Sequence, residues 1–85
     1  MVQNTSDRHE RAQRAHEAAA ERHRRAAEFW EARGEPERAA LERRNVAIEL
    51  AAAELERDRA LLERRLARQG EAGDAVDESP LDSPP

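Results

Sequence analysis

Three histidines and a tryptophan, His9, His16, His23 and Trp30, fall seven residues apart. Imidazoles at that spacing raise metal binding, proton sensing and helix packing. A metal site needs ligands converging within about 2 Å of one ion. Residues seven apart on a helix lie about 10.5 Å apart, so two of these histidines cannot share an ion within one chain. A di-iron site built on Glu-x-x-His is also excluded, because Ser6, Gln13 and Ala20 stand three residues before the histidines. A site between chains stays open if two histidine seams face each other. So does a pH sensor, in which imidazoles on an association surface repel once protonated. The plainer reading is a packing seam, with His at the a positions of a heptad and Ala12, Ala19 and Ala26 three residues after each.

Other chemistry is missing. There is no cysteine for a disulfide, thiolate or cysteine-based zinc site. Ser and Thr occur only as Thr5, Ser6, Ser79 and Ser83, and no glycine-rich phosphate loop or nucleophile elbow is present. Carboxylates are plentiful, but on helices they read as a solvated face, with Glu10–Arg14, Glu21–Arg25 and Arg59–Glu63 at helical pair spacing. The expectation is a protein that is not an enzyme and needs no cofactor. The longest apolar run, Leu50 to Ala53, is far below the ~20 residues of a membrane span. The first six residues lack the basic start and apolar stretch of a signal peptide. A cytoplasmic location without membrane contact is expected.

The elements that position the histidines are legible from helix formers and breakers. Residues 7–33 contain neither Gly nor Pro and are rich in Ala, Arg and Glu. Asp7 and Glu10 have capping-box spacing. Gly34 suits a helix stop, and Pro36 suits the first turn of a new helix. The pattern predicts an all-α fold: a helix over 7–33, a turn at 34–35, and a helix over 36–69 ending at Gly70. So short a link folds the pair into an antiparallel, coiled-coil-like hairpin. Residues 1–6 are expected to be disordered, as is an acidic, proline-containing tail over 70–85.

Folding at Gly34 sets His23 against Val46, Ala19 against Leu50, and His16 against Ala53. The predicted hairpin seam is His9, Ala12, His16, Ala19, His23, Ala26 and Trp30 facing Ala39, Val46, Leu50 and Ala53. A second stripe on the second helix, Leu41, Ile48, Ala52, Leu55, Leu62 and Leu66, is about 200° away in phase. One neighbouring helix cannot cover both faces. The outer stripe therefore predicts an interface, with a homodimer as the simplest closed solution and a helical partner protein as the alternative. Because spacing does not fix the rotation of either helix, the reversed assignment of the two faces stays open.

Formal net charge is −4 from 15 basic and 19 acidic residues, and every basic residue is Arg. The body is near neutral, while residues 70–85 hold five acids and no Arg. At the open end Arg8, Arg11 and Arg14 approach Arg64, Arg65 and Arg68, a basic pole that defines a rival reading as a nucleic-acid-associated regulator gated by the tail. Interleaved acids and the lack of stacking aromatics beyond Phe29 and Trp30 count against it. Within the tail, Ser79-Pro80 and Ser83-Pro84 offer phosphorylation or short-motif sites.

The segment from Ala26 to Ala39, with Trp30 four residues before Gly34 and Ala39 five after it, resembles the elbow of a tetratricopeptide-type helix pair. The likeness covers the elbow alone, has no second copy, and implies a packed corner. In composition, Ala-rich with Arg in place of Lys, the chain resembles small uncharacterised helical-hairpin proteins of actinobacteria or their phages, and this implies no activity.

Overall fold

The computed structural model describes residues 5–76, with side chains through Gly70. It contains two helices, α1 (Thr5–Ala32) and α2 (Pro36–Val76), packed antiparallel as an extended hairpin. At 1.5 Å per residue they are about 42 and 61 Å long, so α2 overhangs α1 at the open end.

Helix α1 starts at Thr5, ahead of the expected Asp7, and Ser6 is buried. Asp7 lies in the first turn, where its charge favours the positive end of the helix dipole. Helix α2 does not stop at Gln69. It passes through Gly70 to Val76, into the segment expected to be disordered. Among the described residues only Gly34 takes a positive φ, so Gly70 is not the left-handed cap that its position suggested. A glycine inside a helix costs about 1 kcal/mol relative to alanine, and the Glu71-Ala72 that follows favours helix. Residues 1–4 and 77–85, including the two Ser-Pro pairs and most of the acidic tail, lie outside the described residues.

The turn is economical. The Glu35 amide donates to the Trp30 carbonyl at 2.9 Å, and the Gly34 amide donates to the Glu31 carbonyl at 3.0 Å. With Gly34 at φ 75°, this is a Schellman closure of α1. The Glu35 carbonyl then accepts from Ala39 at 3.1 Å, so Glu35 is also the N-cap of α2, and Pro36 follows at the first helical position. One residue ends the first helix and begins the second.

The core is made of alanine. Ala20 and Ala27 of α1 and Ala39, Ala53 and Ala60 of α2 are buried. Among the described residues no large side chain is fully buried. Small residues let the two backbones approach closely and leave little room between them for a leucine.

Candidate interaction surface

The three histidines of α1 each meet a glutamate of α2. His9 Nδ1 donates to Glu56 Oε1 at 2.6 Å, His16 Nδ1 to Glu49 Oε1 at 2.7 Å, and His23 Nδ1 to Glu42 Oε1 at 2.7 Å. The glutamates are seven apart, as the histidines are, and the chains run in opposite directions, so one fixed offset satisfies all three rungs. All six side chains are half-buried along one edge of the alanine seam. For a neutral imidazole these bonds require the tautomer that carries the proton on Nδ1. The bond from His9 holds the Glu56 carboxyl below the usual carboxylate range; burial opposes this, and the hydrogen bond and charge of Arg59, with Nη1 2.9 Å from Glu56, add to it.

This ladder corrects two expectations. His23 meets Glu42 rather than Val46, and His16 meets Glu49 rather than Ala53: the register lies one helical turn closer to the loop. The cause is the turn. Helix α1 ends at Ala32 and the chain is already reversing at Arg33, so the hairpin folds about a point before Gly34. Leu50, expected in the seam, is instead 44% exposed. Its place beside α1 is taken by its neighbour Glu49, about 100° away around the helix. The other seam residues lie on the inward side, with Ala39 and Ala53 buried and Ala12, Ala19, Ala26, Trp30 and Val46 half-buried.

Within the hairpin the imidazoles face carboxylates rather than one another. Among the described residues no group of three His, Asp or Glu is placed to hold a metal ion.

The outer stripe points to solvent. Leu41 is 58% exposed and Ile48 61%, with Leu55, Leu62 and Leu66 also exposed and Ala52 half-buried. Leu50 and Leu61 add exposed apolar surface elsewhere on α2, and Phe29 does so on α1. At the elbow, Trp30 packs edge-on to Phe29 with centroids 5.1 Å apart. Arg38 lies 4.8 Å over the Trp30 ring and Arg33 lies 4.7 Å over the Phe29 ring. Arg43 reaches across to Glu31 with both guanidinium nitrogens, at 2.5 and 3.5 Å.

The basic pole is less basic than its sequence. Arg64 crosses to α1 and pairs with Glu10, and the Glu10–Arg14 pair is not among the ion pairs of the described residues. Arg8, Arg11, Arg14, Arg65 and Arg68 are exposed around that pair. Arg59 likewise turns to Glu56 rather than Glu63, whereas Glu21–Arg25 forms at 3.3 Å.

The glutamate half of the ladder was the signal that sequence reasoning missed. Glu35, Glu42, Glu49, Glu56 and Glu63 recur every seven residues, and only matching that period against the histidine period identifies the rungs. No family model, curated protein or solved structure matches the chain. Among the described residues no helix is long and apolar enough to cross a membrane.

Proposed function

We propose that the hairpin is a non-enzymatic protein–protein interaction module that associates through the outer face of α2, forming a helical bundle with itself and serving as an adaptor, stabiliser or regulator. The supporting observation is where the large apolar side chains lie. The seam that closes the hairpin uses alanine, while Leu41, Ile48, Leu55, Leu62 and Leu66 stand in solvent along one side of α2. Burying a leucine or isoleucine side chain contributes roughly 1.5–3 kcal/mol, and contiguous exposed apolar surface marks interaction sites. The alanine core alone gives the hairpin little of this term, so association supplies what the fold lacks.

Sedimentation equilibrium across a concentration series tests the reading. The expected result is a concentration-dependent mass that Ile48→Glu and Leu55→Glu reduce to the monomer. A helical wild-type monomer at high micromolar concentration overturns it. Salt-dependent binding to DNA or RNA, lost when Arg65 and Arg68 are neutralised, would favour the basic pole instead.

A further inference from the structure

We propose that the occupant of the outer α2 face is a second copy of this chain, lying antiparallel to the first with a two-fold axis at Ala51. The proposal rests on the association reading above and adds the partner, its direction and its register.

The argument comes from the row of residues that flanks the stripe. Three residues after each large apolar side chain stand Arg44, Ala51, Asp58 and Arg65, and Glu37 continues the row by one heptad toward the turn. All five are exposed. Outward from Ala51, the row reads Arg44 then Glu37 in one direction and Asp58 then Arg65 in the other. The charges are reversed at equal distances. A two-fold axis at Ala51 therefore sets Arg44 beside Asp58 of the second copy and Glu37 beside Arg65 of the second copy, and each pair occurs twice. Glu37, Arg44 and Arg65 form no ion pair with another described residue; Asp58 has only its chain neighbour Arg57, at 3.3 Å.

A second observation agrees with this centre. The heptad-spaced part of the stripe, Leu41, Ile48, Leu55 and Leu62, has its midpoint between Ala51 and Ala52. Copies related by an axis at Ala51 thus overlap along these four residues, with Ile48 and Leu55 of each nearest the axis and Leu66 beyond the overlap. Between Ile48 and Leu55 the stripe side carries Ala51 and Ala52, while the two charges of that stretch lie off it, Glu49 on His16 and Glu54 beside Arg57.

A parallel pair fits worse. There the flanking row meets the glutamate row on the other edge of the stripe in the second copy. Glu37 would then face Glu42, and Asp58 would face Glu63. Only Arg44 would find an acid, Glu49, which His16 already holds. In the antiparallel pair the glutamate rows stay on the side where α1 packs, and three of them are bonded to histidine within their own chain.

Charge reversal on the full chain tests direction and register together. Arg44→Glu alone and Asp58→Arg alone each place like charges together twice, and each is expected to weaken self-association by about tenfold at low salt. An equimolar mixture of the two variants restores wild-type affinity, because each chain supplies what the other lacks. Circular dichroism of each variant confirms that helix content is kept. If both variants associate as wild type does while Ile48→Glu abolishes association, the antiparallel proposal is overturned and the association reading stands. If the wild type is itself a monomer, both fail. Weakened single variants that do not rescue each other also overturn the pairing.

Discussion

His16 and Glu49 meet across the middle of the hairpin, Nδ1 to Oε1 at 2.7 Å, with one equivalent rung a heptad away on either side. The three rungs are polar contacts along a seam whose buried hydrophobic residues are all alanine. Alanine packs against alanine with little preference for one register over the next. A histidine that slips by one residue loses its carboxylate. The rungs therefore set the register that the alanines leave free.

Removing one rung accordingly costs little stability on its own but exposes the coupling. His16→Ala and Glu49→Ala are each expected to lower stability by about 1 kcal/mol or less, since the pair is only half-buried and partly screened by water. The double variant should cost less than the two singles combined, by the energy of the bond. Urea unfolding at a fixed protein concentration measures all four states. Additive losses would show that the two side chains do not interact.

The rung at the open end brings acid sensitivity. The His9 bond holds the Glu56 carboxyl below its usual range, so the folded state favours the charged form. The stability this contributes is complete above the ordinary glutamate value of about 4.3 and is lost as the pH falls through the lowered folded value. Glu56→Gln should melt below the wild type at about pH 6, and the gap should close towards about pH 3. Thermal melts across that range check it; a constant gap counts against the carboxylate as the source.

Much of this architecture is legible in the sequence, and the parts that are not have identifiable causes. Helix-forming composition interrupted at Gly34 and Pro36 specifies the hairpin, and the opposite phases of Ala39/Ala53 and Leu41/Ile48 give α2 two apolar faces without saying which of them turns inward. The register is harder to read, because it depends on how many residues the turn consumes, and Glu35 serves both helices at once. Glu42, Glu49 and Glu56 escape notice for another reason. On a helix with so many Arg, a glutamate reads as solvent-facing until its spacing is compared with that of the other helix. Gly70 looks like Gly34 in the sequence, although one continues a helix and the other ends it.

The division between an alanine core and a leucine exterior predicts opposite effects for two substitutions. Ala39 is 0% exposed, and Ala39→Leu inserts a branched side chain at a fully covered position; a loss of about 1–3 kcal/mol is expected from overpacking. Ile48→Ala removes a larger apolar group, but from a side chain facing solvent, so the melt at low concentration should barely move while association weakens. Chemical unfolding and sedimentation, run on both variants, separate fold from assembly. A strongly destabilised Ile48→Ala at low concentration would mean that Ile48 belongs to the hairpin core.

Gly34 and Gly70 should respond to alanine with opposite signs. At both positions an added Cβ meets nothing within 4 Å, so contacts do not decide the outcome. Backbone conformation does. Gly34 sits at φ 75°, where an L-residue loses roughly 1–2 kcal/mol, and Gly34→Ala also strains the Schellman closure that hands α1 over to α2. Asparagine tolerates that region better, so Gly34→Asn should fall between the two. Gly70 lies within α2, where alanine is favoured over glycine by about 1 kcal/mol. Gly70→Ala should therefore strengthen the overhanging end of α2 and raise the helical signal in circular dichroism, most visibly on warming, when that end frays first. A loss at Gly70→Ala resembling that at Gly34→Ala would mean that Gly70 caps α2 in solution.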